Sequence, residues 1–268
     1  MSDSRPIGLF DSGVGGLTVL NAVAKRLPEE NLLYLGDTAR LPYGTKSRET
    51  VRRYATRAVE LLLARDVKAL VVACNTATAL ALDAIEALAP VPVVGVVAPG
   101  ARAAVRRASG RSGPIAVLAT EATVASDAYG AAIRALDAER EVLHQACPLF
   151  VPLAEEGWTD DEIARLTAAR YLAKVSASGA PVVVLGCTHY PLLSDTIASV
   201  LPSGTDVVDS AESTAEALDE ALPKEIRRRG KGPGETHLLV TDASERLRRV
   251  AGRVLGREAA ALELVDLP

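Results

Sequence analysis

PVVVLGCTHYP, residues 181–191, is a run of branched apolar side chains that stops on Cys187, Thr188 and His189. It lacks the polar alternation of a strand with one wet face, so it reads as a strand covered on both sides. ALVVACNTATA at 69–79 repeats the plan and stops on Cys74, Asn75 and Thr76. Further short apolar runs of the same kind are PIGLF (6–10), NLLYLG (31–36), PVVGVV (92–97), PIAVLAT (114–120), EVLHQAC (141–147), DVVD (206–209) and THLLVTD (236–242). Helical patterns lie between them, including the amphipathic ETVRRYATRAVELLLAR (49–65), the Ala/Leu-rich stretch 76–88 and a helix near 160–177. Buried β-branched runs separated by helices predict an α/β protein with mostly parallel sheets.

The runs also pair up. PIGLFDS (6–12) resembles PIAVLAT (114–120), setting Ser12 opposite Thr120, and ALVVACNTATA resembles PVVVLGCTHYP, setting Cys74 opposite Cys187. The offsets, 108 residues for the first pair and 113 for the second, are nearly equal. Two similar α/β domains facing across an active-site cleft are therefore expected. The first takes 1–97 plus a return over 206–268, and the second takes 98–205. The charged, glycine-rich KEIRRRGKGPGE (224–235) reads as a solvated loop.

At 268 residues the chain has ample interior for a core, which must be built from Ala, Val, Leu and Ile because only 3% of residues are aromatic. A formal charge of -4 gives no general pull toward nucleic acid or an anionic membrane, and neither partner is expected. No apolar run is long enough to span a bilayer. The start, MSDSRPIGLF, lacks the marks of a signal peptide, which suggests a cytoplasmic location. Three cysteines do not make a disulfide framework and read as thiols.

In parallel α/β units, ligands collect outside the carboxyl ends of the strands. Asp11 and Ser12, the Cys74–Asn75–Thr76 triplet, Thr120 and the Cys187–Thr188–His189 triplet all fall there. A thiol at such a place can sit near a helix N-terminus, which lowers its pKa and favours thiolate. Structural zinc is disfavoured because no C-x-x-C spacing exists, and no metal is expected. A Cys74–Cys187 disulfide would suit a secreted chain better. A nucleophilic Cys187–His189 pair is conceivable, but residues two apart on an extended segment point to opposite faces. Two thiols on opposite sides of one substrate atom would instead act as two acid/base groups, one removing a proton and the other delivering one. Cys147 has no repeat partner and reads as a small buried hydrophobe. DSGVGG (11–16) reads as an anion site of backbone N–H groups at a helix N-terminus, and LPYGTKS (41–47) as a turn whose Pro42, Tyr43 and Gly44 can meet ligand.

Together these stretches resemble the glutamate racemase family. The likeness is carried by IGLFDSGVGGLTVL (7–20), YLGDTARLPYGTKS (34–47), ACNTATA (73–79), VVGVVAPGARAA (93–104), ATEATVAS (119–126), CPLFVPLAEEG (147–157), LGCTHYPLL (185–193) and the C-terminal HLLVTDASERLRRVAGRVLG. The resemblance implies a homodimeric, cytoplasmic isomerase that supplies D-glutamate for peptidoglycan and needs no cofactor. It implies Cys74 as the base toward D-glutamate and Cys187 as the base toward L-glutamate, assisted by Asp11 and His189 respectively. Asp11, Ser12, Pro42, Tyr43, Gly44, Asn75, Thr76, Thr120, Cys187, Thr188 and His189 match positions that hold the substrate. Asp37 and Glu155 are possible supporting groups, with Glu156 an alternative to Glu155. An aspartate racemase and a non-catalytic amino-acid-binding regulator are the rival functions.

Overall fold

The structure is a computed structural model and describes residues 3–228, 232–255 and 262–267. Strand and helix alternate along the chain. The first stretch runs β1 (Ile7–Asp11), α1 (Leu17–Arg26), β2 (Leu32–Gly36), α2 (Arg48–Ala64), β3 (Ala69–Val72), α3 (Asn75–Leu88) and β4 (Val93–Gly95). The second runs α4 (Val97–Ala108), β5 (Ile115–Ala119), α5 (Glu121–Ser126), α6 (Ala128–Leu136), β6 (Val142–Ala146), α7 (Phe150–Glu156), α8 (Glu162–Ala177), β7 (Val182–Gly186), α9 (Ser194–Ser199) and β8 (Asp206–Val208). The chain closes with α10 (Ala211–Ala221), β9 (Thr236–Val240), α11 (Glu245–Leu255) and β10 (Leu262–Leu264).

Among the described residues the strands form two sheets, both parallel throughout. One is six-stranded in the order β10-β9-β2-β1-β3-β4, and the other four-stranded in the order β6-β5-β7-β8. All residues of β1, β3, β5 and β7 are buried, as their unbroken apolar runs predict. Their side chains alternate between the faces. Ile7 and Leu9 pack with α1 and α10, while Phe10 packs with α2 and α3. In the second sheet, Val183 and Leu185 face α8, and Val182 and Val184 face α4 and α6.

The repeat is visible in the sheet order. β2-β1-β3-β4 and β6-β5-β7-β8 are the same arrangement, to which the first sheet adds β9 and β10. This corrects one boundary. DVVD was expected to return to the first unit with the tail, but β8 pairs with β7 in the second sheet, Val182 opposite Asp206. Val93 and Asp206, where β4 and β8 begin, are 113 residues apart, the spacing that also separates Cys74 and Cys187. The return begins with α10, which packs against α1.

The segment 224–235 carries a short 3₁₀ turn at Lys224–Ile226, and Arg228 N donates to Glu30 Oε1 (3.0 Å), so it is partly anchored and not simply solvated. Residues 229–231 of that segment, and Gly256 at the end of the C-terminal motif, lie outside the described residues. Among the described residues no helix is long and apolar enough to cross a membrane.

Candidate active site

The carboxyl ends of β1, β3, β5 and β7 converge, and one small cavity gathers the residues that follow them. Its wall comprises Ser12, Leu41–Gly44, Cys74–Thr76, Thr120, Val151 and Cys187–His189. Every residue expected to meet a ligand is in this wall except Asp11, which lies directly behind it. Leu41 and Val151 were not anticipated; they are apolar and carry no chemical signal in a sequence. The free volume is about 20 Å³, roughly the space of one water molecule.

Cys74 caps the N-terminus of α3. Its sulfur accepts from Ala77 N (3.4 Å) and its thiol donates to Ser12 Oγ (3.4 Å). The expectation of a lowered pKa fails here. Burial, followed by the Asp11 charge, pushes the Cys74 thiol up to about 12, outweighing the Ser12 and Ala77 hydrogen bonds. The helix end does favour thiolate, but at a site only 4% exposed desolvation is the larger effect.

Asp11 is fully buried. Its Oδ2 accepts from Gly13 N (2.9 Å), the Gly16 amide supports the same carboxylate, and Thr188 Oγ1 donates to Oδ1 (3.4 Å). Burial raises its pKa against the opposing pull of the His189 charge and these donors. The Gly13 and Gly16 amides of DSGVGG, read from the sequence as an anion site, serve the chain's own Asp11 carboxylate. A Cβ at Gly16 would come within 2.6 Å of Asp11 Cβ, which is why the turn is glycine there.

The second thiol has a different neighbour. After β7 the chain leaves the extended form: Tyr190 N donates to Cys187 O (3.1 Å) and His189 is helical at φ -82, ψ -27. This turn brings the Cys187 and His189 side chains together, where an extended segment would have parted them. Burial works against charge on His189, but hydrogen bonds with Cys187 and Glu155 and the charges of Cys187 and Asp11 prevail, and its pKa rises to about 10. Nε2 lies 3.5 Å from Glu155 Oε1, within ion-pair distance. Glu155 thus stands by His189, while Glu156 is exposed. Neither touches the cavity.

Hydroxyls line the space between the two units. Thr120 caps α5 by accepting from Thr123 N (3.3 Å), and Thr76, Thr120 and Thr123 form a triangle with oxygens 3.0–3.1 Å apart. Asn75 accepts from Tyr129 Oη (2.6 Å). Asp37 sits outside the cavity, accepting from Tyr43 Oη (2.6 Å) and Thr241 Oγ1 (3.0 Å), and so fixes the ring that lines the wall. Cys147 is buried among Phe150, Leu172 and Tyr190, away from the cavity wall. All three cysteines are free. Among the described residues no three His, Cys, Asp or Glu side chains cluster as metal ligands.

Comparison with known proteins follows the same lines. The family model described as Asp/Glu/Hydantoin racemase matches residues 16–218. A glutamate racemase from Geobacter metallireducens is 50% identical over 264 residues, covering 98% of this chain and 97% of its own. The crystal structure of glutamate racemase from Francisella tularensis subsp. tularensis in complex with D-glutamate is similar at a TM-score of 0.92 and 36% identity, covering 99% of this chain and 98% of that one. Aspartate racemase from Picrophilus torridus, 18% identical with a TM-score of 0.56 over 83% of this chain and 97% of its own, shares the fold alone.

Proposed function

Since the chain belongs to the Asp/Glu/hydantoin racemase family, we propose that it is an isomerase interconverting L-glutamate and D-glutamate through two thiols. One observation carries this reading: Cys74 and Cys187, at equivalent strand ends of two repeated units, line the same cavity. The D-glutamate complex of the Francisella relative supports the choice of substrate.

The chemical difficulty is the weak acidity of the α-C–H bond. Charge must build on the α-carboxylate as the proton leaves, and preorganised donors lower its cost. The Thr76–Thr120–Thr123 hydroxyls supply such donors, while the Asn75 amide binds a carboxylate of the substrate throughout. In the L-to-D direction Cys187, with His189 beside it, is the base that takes the α-proton, and the Cys74 thiol delivers its own proton to the opposite face. The product form then carries a Cys187 thiol and a Cys74 thiolate, which is the form that accepts D-glutamate. The substrate ammonium, kept protonated, offsets the Asp11 charge that otherwise opposes a Cys74 thiolate. Asp11 assists Cys74, and His189 assists Cys187. Ser12, Pro42, Tyr43, Gly44 and Thr188 complete the substrate contacts, while Asp37 and Glu155 support them from behind.

We read the chain as two domains, 98–208 forming the second and the remainder the first. We further place the protein in the cytoplasm as a homodimer supplying D-glutamate for peptidoglycan, which light scattering of the purified protein tests at the level of assembly. The activity itself is tested by circular dichroism of each glutamate enantiomer. Both should drift to a near-racemic mixture after thorough removal of pyridoxal phosphate and in the presence of EDTA. Turnover of aspartate without glutamate, or a need for pyridoxal phosphate or metal, would overturn the reading.

A further inference from the structure

Asn75 opens α3 beside Cys74, is 2% exposed and lies in the cavity wall. Its two ends have opposite chemistry: Oδ1 accepts, whereas Nδ2 donates. Oδ1 is engaged by Tyr129 Oη at 2.6 Å, and Nδ2 has no hydrogen-bond partner among the described residues. A phenol has one proton to give. Ser210, immediately before α10, is the other side-chain partner of that phenol, whose proton goes to Asn75. The ring has a fitted seat. A Cβ at Gly186 would lie 3.1 Å from Tyr129 Cε2, and one at Gly100 would lie 3.2 Å from Tyr129 Oη.

We infer that Tyr129 is a positioning residue, which holds the Asn75 amide with its Nδ2 toward the cavity so that it donates to a substrate carboxylate. Turned the other way, Asn75 would present a carbonyl oxygen to that carboxylate and repel it. The bond also crosses from α6 in the second unit to α3 in the first. The amide is therefore oriented only while the units are together. This inference rests on the glutamate reading.

The test is a double-mutant cycle with Tyr129→Phe, Asn75→Ala and the double variant. It measures kcat and KM for racemisation, Kd for D-glutamate by calorimetry, and thermal stability. Hydrogen bonds to charged groups are the strong ones, so Tyr129→Phe should raise KM and Kd about 10-fold. As the contact is made in ground and transition states alike, kcat should stay within about threefold. In the Asn75→Ala background the same change should have no further effect on Kd, because its route to the substrate is gone. Ser210→Ala provides a second variant that keeps the phenol, and a smaller rise in Kd with the same dependence on Asn75 is expected. An unchanged Kd in Tyr129→Phe, or an equal rise with and without Asn75, overturns the inference. A wild type that binds no glutamate sinks both the inference and the function it rests on. A wild type that racemises glutamate while Tyr129→Phe binds it equally well sinks the inference alone.

Discussion

Beside Cys74 stands a buried carboxylate, and beside Cys187 a buried imidazole with a pKa near 10. The types and places of these groups were legible in the motifs, but their electrostatics were not. A sequence shows that Cys74 precedes a helix; it does not show that burial overrides the helix end. His189 gives a direct check on this electrostatic picture. An unfolded histidine has a pKa of about 6.5, and the folded value is about 10, so folding favours the charged form. The resulting stabilisation is fully present below pH ~6.5 and is lost as pH rises through about 10. His189→Gln removes it. Thermal unfolding should therefore show a gap in Tm between wild type and variant that is wide at pH 6 and narrows by pH 10. A gap independent of pH would mean that His189 is not held charged.

The strands and principal helices were readable because a doubly covered parallel strand must be apolar throughout. Two local features were not. The turn at Cys187–Tyr190 depends on a single backbone bond, and the Tyr129–Asn75 contact joins helices through residues 54 apart in sequence. Sequence spacing carries no sign of either. The close packing of the β1–α1 turn against the turn after β7 is another such feature. A Cβ at Gly15 would lie 2.5 Å from Thr188 Oγ1 and 2.9 Å from His189 Nδ1. Gly15→Ala must push these side chains away. Overpacking of this kind costs about 1–3 kcal/mol, so denaturant unfolding should register a loss of that order. The same variant should lower kcat/KM at least ~10-fold, since the displaced residues are those beside Cys187. Wild-type values of both quantities would show that the two turns do not constrain one another.

Across the whole molecule the sequence repeat and the repeated sheet order agree: each unit ends a buried strand on a thiol, and the cavity takes one thiol from each. The near-equal offsets made this visible in advance, and the misassigned β8 shows where the reading stopped short, since the repeat extends one strand further than its motifs. Two half-sites imply two directions. Cys74→Ser and Cys187→Ser each keep the approximate shape of the site while replacing a thiol by a far weaker acid, and general acid–base groups are worth roughly 10²–10⁴ in rate. Racemisation needs both thiols and should fall by at least that lower bound in either variant. The decisive measurement is α-proton exchange of each separate enantiomer in deuterated water, followed by NMR, because removal of a proton needs only one working base. Cys74→Ser should retain exchange on L-glutamate and lose it on D-glutamate, and Cys187→Ser should do the reverse. Equal loss on both enantiomers in both variants would contradict a site with one base for each face.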